Sequence, residues 1–438
     1  MLRALVPSIY APTVLEAAGE AALLPVIPLL ARHLGFSVPA AAALAMIAGI
    51  GAVLGPIPTG RVMMRVGARR AIIASGIALA VSNVVALIVV GDGLQGHAGP
   101  GHRLALVLAL VVMAATGQVW QLGRQSFLGT ELPPELRARG MTTFGGMLRI
   151  GQVIGPLLGA VVVSLGHDAW VFGLFAVMTT TATVMVAVFM VPGEASGAAP
   201  PEPAAAERAL DEEVEKVAEA TAPVPAPDST AQAGSRDTRG VLARMVRVGL
   251  GVTPLVMGRI NRPLIVPLLG DALALDASTI SVIFGVAAAI EIFMFIPAGS
   301  IMDRRGRAAV AVPCSLIMGL GYVLLSVLAP TIGTRSAGWA LVALLVPCLL
   351  IAVGNGLGSG IVMTLGIDVS PERGRTRYLS WWNTVIGVGR LTAPLLVAGI
   401  ALVAPVAAAG VVSGVLCLAG SGWLARVLPE VVPGRDRA

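Results

Sequence analysis

Eight charged side chains fall inside long apolar stretches of this sequence, where a charge is costly. They are Glu16, Glu20, Arg124, Arg149, Arg259, Arg262, Glu291 and Arg390. At the centre of a membrane helix each costs about 2.5–3.5 kcal/mol on insertion scales, so each should face a partner or a hydrated cavity. Charges placed in this way are typical of sites that move protons or bind the polar part of a small molecule.

The carboxylates of this set are candidates for carrying a proton. Glu16 and Glu20 lie four residues apart and therefore share one helix face, where paired carboxylates can exchange a proton near neutral pH. Glu291 is a third candidate. Gly19-Glu20 corresponds to Gly258-Arg259 in the second half of the chain, which places Arg259 opposite Glu20. An ion pair there could be made and broken in a working cycle, or it could be a permanent structural salt bridge.

A second group of polar side chains is suited to contact a bound compound. Trp120 falls near the middle of its apolar stretch, so anchoring at a membrane surface does not explain it. In a cavity its ring could stack on a planar apolar molecule. The alternative is that Trp120 only packs between helices and that Asn261 only joins helices by a hydrogen bond. The candidates for contact are Trp120, Gln121, Arg124, Arg149, Asn261 and Arg390.

The composition indicates which elements hold these residues. Of the 438 residues, 56% are hydrophobic and 12% are charged, and the mean hydropathy is +0.87. No soluble domain of this length needs so much apolar surface, and long continuous apolar runs favour helices over a membrane barrel. We predict an all-α integral membrane protein with twelve spans, at residues 5–30, 38–60, 70–91, 103–128, 141–165, 169–191, 246–270, 277–300, 308–330, 337–366, 378–403 and 405–427.

The net charge of +6 indicates membrane orientation and not a surface for nucleic acid. Arginines are concentrated in one set of loops, and the opposite set holds only Arg32, Arg103 and Arg335. The positive-inside rule therefore places the arginine-rich end and both termini in the cytoplasm. The expected location is the inner membrane of a bacterial cell. The sequence shows no phosphate-binding loop, metal-ligand spacing or enzyme nucleophile arrangement, so no cofactor and no enzyme activity are predicted.

A loop signature occurs twice, at equivalent places about 239 residues apart. Each copy lies between two apolar segments, as expected after an internal duplication. The repeat predicts an N-terminal six-helix half at 1–191, a cytoplasmic linker at 192–245 and a C-terminal six-helix half at 246–438. The residues of the signature are Gly60, Arg65 and Gly67 in the first copy, and Gly299, Asp303, Arg304, Gly306 and Arg307 in the second.

Twelve spans with this loop after spans two and eight resemble the major facilitator superfamily over essentially the whole membrane portion. A second motif, which includes Gly151, Gly155, Pro156 and Gly159, resembles the glycine–proline motif of drug–proton antiporters in that superfamily. The resemblance implies two pseudo-symmetric halves around a central cavity. It also implies alternating access and proton-driven efflux of a small amphipathic compound or drug.

The loop signature is expected to form a latch at the cytoplasmic end. Met64 and Ala68 replace the aspartate and the arginine that the family pattern has in the first copy, so the second copy, with Asp303 and Arg304, is the intact one. A carboxylate there can accept hydrogen bonds from free amides at a helix start, and neighbouring arginines can bind carboxylates or terminal carbonyls. The alternative is that these arginines only set topology.

The glycines of the second motif are expected to let span five pack closely, with a tight contact to span eight, and Pro156 to bend it. Two other functions remain open for the chain: an importer or facilitator on the same fold, and a non-transporting sensor or scaffold that acts through the linker. The predicted partners are a small-molecule substrate, protons and the lipid bilayer, without nucleic acid. The predicted oligomeric state is a monomer.

Overall fold

The structure is a computed structural model that describes residues 5–131, 134–190, 231–358, 360–371 and 375–431. The regular elements in these ranges are helical. Two short π-helical turns, Val6–Tyr10 and Gly93–His97, stand before the first and after the sixth α-helix. The α-helices are α1 (Ala11–Leu23), α2 (Ile27–His33), α3 (Val38–Ala43), α4 (Ala45–Leu54), α5 (Pro56–Val66), α6 (Ala68–Asp92), α7 (Pro100–Glu131), α8 (Pro134–Ser164), α9 (Trp170–Phe189), α10 (Ala231–Ala272), α11 (Ala277–Arg305), α12 (Ala308–Thr331), α13 (Ala337–Leu357), α14 (Ile361–Val369), α15 (Arg375–Ala401) and α16 (Val406–Val431).

These helices account for the predicted membrane spans. Ten helical segments of the described chain are long and apolar enough to cross a membrane, and an eleventh consists of α1 and α2, which meet at an angle of 41°. The run from α3 to α5 covers the second predicted span, and Val38–Ala52 is its apolar part. The prediction of an all-helical membrane protein is confirmed, and the segments follow the predicted order.

Proline and glycine explain where several spans are broken. Pro28 lies in the first turn of α2, and Pro56 begins α5 directly after α4. Proline has no backbone N–H and its ring collides with the preceding turn, so a helix bends or restarts there. Gly360 precedes α14 with φ of 85°, a left-handed conformation that glycine adopts without a steric penalty. The span formed by α13 and α14 is therefore interrupted at mid-course.

The two loop signatures have the same backbone conformation. Gly67 joins α5 to α6 with φ of 84°, and Gly306 joins α11 to α12 with φ of 83°. A side chain at either position would be strained in this left-handed region. The equal geometry at equivalent places agrees with the internal repeat.

The glycine motif of α8 forms a close contact with α1. A Cβ atom at Gly151 would lie 2.7 Å from the carbonyl oxygen of Val14, and one at Gly159 would lie 3.2 Å from that of Ala22. The motif thus brings two helix backbones together, as small residues do in membranes. The contact of α8 with α11, the helix of span eight, is made differently, because there Leu157 packs over Gly285. The glycines therefore contact span one, where the sequence had suggested span eight.

Gly155→Ala is expected to destabilise the protein by about 1–3 kcal/mol, the usual cost of overpacking a tight contact. The added methyl group would collide with the carbonyl oxygen of Ala18, which belongs to a helix backbone and cannot move alone. The measurement is the thermal unfolding midpoint in detergent. Gly146→Ala in the same helix is the control, because no described atom outside its own helix turn lies within 4 Å of a Cβ at that position. Equal midpoints for the two variants would contradict the packing role.

The two halves contact each other through α8 on α11, α3 and α4 on α15, and α2 on α10. At the arginine-poor end Arg32 Nε lies 3.6 Å from Asp271 Oδ2 and joins the ends of α2 and α10. This ion pair therefore holds the two halves together at that end.

Asp276 caps α11 at the arginine-poor end, outside the span. Its carboxylate accepts hydrogen bonds from the Thr279 amide (3.0 Å) and hydroxyl (2.6 Å), and from Ser278. Partial burial raises the pKa of Asp276, but the hydrogen bonds from Ser278 and Thr279 outweigh it and hold the pKa at about 2. The folded pKa lies below the unfolded value of about 3.9, so the stabilisation is present above about pH 4 and is lost as the pH falls through 2.

Asp276→Ala is expected to cost about 0.5–2 kcal/mol of stability, the usual value of a helix cap. The loss should be the same at pH 7.5 and pH 4.5, because the carboxylate of the folded protein is ionised at both. Thermal unfolding midpoints at the two pH values provide the measurement. Asp276→Asn, which keeps an oxygen acceptor, should recover most of the loss. A deficit that disappears at pH 4.5 would show that the cap titrates in the ordinary range.

Candidate functional site

A cavity of about 410 Å³ lies between the two halves of the bundle. Its walls come from α1 to α4, α6, α7 and α9 of the first half and from α10 and α15 of the second. Most lining side chains are aliphatic or small, with Phe175 as an aromatic member. Four charged residues line it: Glu16, Glu20, Arg259 and Arg390. An apolar cavity with a few charged groups is the usual form of a site for a small amphipathic molecule.

Glu16 belongs to a buried ion pair. Arg124 Nη2 donates to Glu16 Oε2 at 2.7 Å, and Nη1 donates to Thr13 Oγ1 at 3.0 Å. The guanidinium is enclosed by two rings, 5.0 Å from the centre of Trp120 and 5.6 Å from that of Phe144. The pair thus joins α1 to α7, and its two charges compensate each other.

Several predicted substrate contacts lie away from the cavity. Trp120 and Arg124 are fully buried between helices, and Asn261 is buried with its Nδ2 donating to Ser413 Oγ at 2.9 Å. Gln121 is exposed, yet neither it nor Arg149 lines the cavity. Among the predicted contact residues, Arg390 is therefore the one that lines the cavity. Trp120 can be buried because Gly76, on the helix opposite, has no side chain and leaves space for its ring.

Glu291 is also paired, within the second half. Arg262 donates to Glu291 Oε1, and Asn355 Nδ2 donates to its Oε2 at 2.7 Å. The Arg262 guanidinium lies 5.4 Å from the centre of the Phe284 ring. This network joins α10, α11 and α13, so both oxygens of Glu291 are occupied. Its geometry is that of a structural ion pair.

Glu20 differs from both of these carboxylates. Its side chain is exposed to the cavity, and no described residue forms an ion pair with it. The predicted pair with Arg259 is not formed, because Arg259 Nη2 donates instead to the carbonyl oxygen of Gly358 at 2.6 Å. That carbonyl stands at the break between α13 and α14. Nothing in the sequence pattern pointed to it as a partner.

The loop signatures hold helix ends together at the arginine-rich end. Arg307 Nε donates to Asp368 Oδ2 at 2.7 Å and so links α12 to α14. In the first half Arg69, two residues after Gly67 of the signature, donates from its Nη2 to the carbonyl oxygen of Ala187 at 2.6 Å, near the end of α9, where a cation also complements the helix dipole. Arg65 and Arg304 are exposed. The side chain of Asp303 lies outside the described residues, so the predicted latch there stays a prediction.

Comparisons with known proteins agree with this architecture. The sequence matches the model of the Major Facilitator Superfamily at residues 12–227 and 248–438. No match to a curated protein was found.

Solved structures share the fold at low sequence identity. A POT family transporter in complex with a thioalcohol-conjugated peptide superposes with a TM-score of 0.74 at 12% identity, covering 98% of this chain and 96% of the other. An auto-inhibited POT family peptide transporter gives 0.71 at 13% identity, with coverages of 97% and 96%. A D-xylose–proton symporter gives 0.67 at 14% identity, with 98% of each chain covered. Because the sequence match to the family model covers most of the chain, at residues 12–227 and 248–438, the chain belongs to the Major Facilitator Superfamily.

Proposed function

We propose that this chain couples proton movement to the transport of a small amphipathic organic compound across the cell membrane. The observation that carries the proposal is the state of Glu20. Its carboxylate faces the cavity without an ion-pair partner among the described residues, whereas Glu16 and Glu291 each bind an arginine. A carboxylate that can gain and lose a proton beside a bound compound can couple the two movements.

The contacts between the halves support alternating access. They are joined at the arginine-poor end by Arg32 and Asp271 and by the packing of α3 on α15. With the arginine-rich end in the cytoplasm, as the positive-inside rule predicts, this arrangement faces inward. The halves would rock about the cavity, and the bridge between Arg32 and Asp271 would open in the outward-facing state.

The direction of transport has two candidates. The motif from Gly151 to Gly159 favours efflux in exchange for protons, through its resemblance to drug–proton antiporters. The solved structures of the same fold include a proton symporter, which favours movement of substrate and proton in one direction. The glycines contact α1, a packing role that serves either direction. The movement of protons relative to the substrate decides between them.

The test uses the full chain, purified and reconstituted in vesicles that enclose a pH-sensitive dye. Cationic, neutral and anionic amphiphiles are added outside at equal pH, and the internal pH is followed as they enter. Acidification during entry indicates symport, and alkalinisation indicates antiport. Accelerated entry without proton movement would remove proton coupling from the proposal. If the folded protein accelerates none of the compounds, the proposal of transport itself fails.

A further inference from the structure

We propose that the cavity selects amphipathic anions, with Arg390 and Arg259 as the anion-binding groups, and that the anion binds together with a proton on Glu20. This inference rests on the proposed function and names the substrate class of the same cavity. It follows from the balance of charges on the cavity wall, from the way each arginine is held and from the position of Glu20 among them.

The cavity wall carries an excess of positive charge. The charge of Glu16 is compensated by Arg124, which is itself fully buried. The remaining charged groups are Glu20 on α1, Arg259 on α10 and Arg390 on α15. Two guanidinium groups therefore face one carboxylate, and the excess grows when that carboxylate takes up a proton. A wall with this balance favours an anion over a cation of the same size.

Arg259 is a cation held in a fixed position. Its Nη2 donates to the Gly358 carbonyl oxygen at 2.6 Å, and its Nε is buried without a partner among the described residues. The guanidinium is thus partly removed from water, where its attraction for an anion is less screened than in bulk solvent. The carbonyl belongs to the break between α13 and α14, so the broken span orients a charge at the edge of the cavity.

Arg390 is the more accessible of the two. Its side chain is exposed to the cavity and forms no ion pair with a described residue. The planar guanidinium can bind both oxygens of a carboxylate at once. The rest of the wall, including Ile47, Leu110 and Met113, is suited to an apolar body. A carboxylate on a hydrophobic frame would satisfy both parts of the site.

The proton follows from the position of Glu20. An ionised Glu20 repels a bound anion, and a protonated Glu20 does not, so anion and proton strengthen each other's binding. The charged groups around Glu20 are Glu16 on its own helix, Arg124 on α7 and the two cavity arginines across from it. A cationic compound would instead compete with the proton. The geometry therefore favours symport of an anion with a proton.

The experiment compares three probes with one ring system: 1-naphthylacetate, 1-naphthylacetamide and 1-naphthylmethylamine. Their binding to the full chain in detergent is measured by calorimetry near pH 6.5, in two buffers of different ionisation enthalpy, which gives the number of protons taken up. The carboxylate is expected to bind with net proton uptake. The amide should bind at least about 10-fold more weakly, since it lacks the charged hydrogen bonds, and the amine should show no measurable binding.

Three variants separate a specific role of Arg390 from a general effect. Arg390→Gln is expected to weaken the carboxylate about 10- to 150-fold, the change that 1.5–3 kcal/mol for a charged hydrogen bond produces, and to leave the affinity for the amide unchanged. Arg390→Lys should recover part of the loss. Arg335→Gln, an exposed arginine outside the cavity, should change neither affinity.

Several results would overturn the inference. They are tighter binding of the amine than of the carboxylate, equal weakening of carboxylate and amide by Arg390→Gln, carboxylate binding without proton uptake, or no carboxylate binding by folded protein. Binding is measured without a membrane gradient, so it can fail independently of the proposed function. Proton flux in vesicles driven only by amines would leave coupled transport standing and remove anion selection. Carboxylate binding with proton uptake, but without proton flux in vesicles, would leave anion selection standing and remove coupled transport.

Discussion

The Glu20→Gln variant is expected to lose substrate-driven proton movement completely, to the level of protein-free vesicles, while it still exchanges substrate across the membrane. Glutamine has nearly the size of glutamate but cannot take up or release a proton near neutral pH. Glu20 has no ion-pair partner among the described residues, so the change breaks no salt bridge. Stability is therefore expected to stay within about 0.5 kcal/mol of the original protein.

Two assays on the same vesicles separate these effects. The internal dye reports proton movement, and counterflow of radiolabelled substrate reports exchange without a proton gradient. Glu20→Asp keeps a titratable group and should retain part of the coupling. Glu430→Gln is the control, because Glu430 lies in an exposed pair with Arg247 and such pairs contribute little. Undiminished proton flux in Glu20→Gln would show that another group carries the proton.

The fold could be predicted from the sequence because its determinants are local or repeated. Apolar length predicts membrane spans wherever it occurs. Gly67 and Gly306 sit in equivalent loops, and both have a positive φ that only glycine tolerates well. A duplication seen in sequence therefore appears again as equal backbone geometry. The division at 191 and 245 stays a prediction, since residues 191–230 lie outside the described ranges and α10 already begins at Ala231, inside the predicted linker.

The site was predicted less well, because it depends on how helices are rotated against each other. The sequence placed Glu16 and Glu20 on one helix face, which follows from their spacing alone. It could not show that Glu16 meets Arg124, 108 residues away, while Glu20 faces open space. The depth of Trp120 in the membrane suggests a cavity residue. Its ring is buried instead against Gly76 of α6, where the missing side chain leaves space for it. Contacts of this kind require knowledge of which helices are neighbours.

The broken helices could also be predicted from the sequence only in part. Proline and glycine indicate where a span can be interrupted, but not what the freed carbonyl will bind. Gly358 accepts a hydrogen bond from Arg259, which removes Arg259 from the expected partner, Glu20. The consequence is that Glu20 is left in the cavity without an ion-pair partner among the described residues. A backbone break in one half thus determines which side chain of the other half is available to titrate.

Arg124→Met is expected to destabilise the protein by about 3–5 kcal/mol, the usual cost of removing one partner from a buried ion pair. The change leaves the Glu16 carboxylate buried without a counter-charge, and it also removes the hydrogen bond to Thr13. Combining it with Glu16→Gln should recover most of the loss, since removal of both charges is often nearly neutral. The measurement is the thermal unfolding midpoint of the purified chain in detergent.

A matched control is Arg247→Met, because its ion pair has a similar N–O distance but is exposed. The N–O distance is 2.7 Å between Arg124 and Glu16 and 2.8 Å between Arg247 and Glu430, whereas the side chains are 0% and 8% exposed in the first pair and 50% and 62% in the second. The exposed pair should therefore contribute less than about 1 kcal/mol. Equal shifts of the thermal unfolding midpoint in Arg124→Met and Arg247→Met would show that burial does not decide how much an ion pair stabilises the protein. A double variant no more stable than Arg124→Met would mean that the loss does not come from the unpaired Glu16. Recovery in the double variant would identify Glu16 as a charge held for structure, which leaves Glu20 as the titrating carboxylate of the cavity.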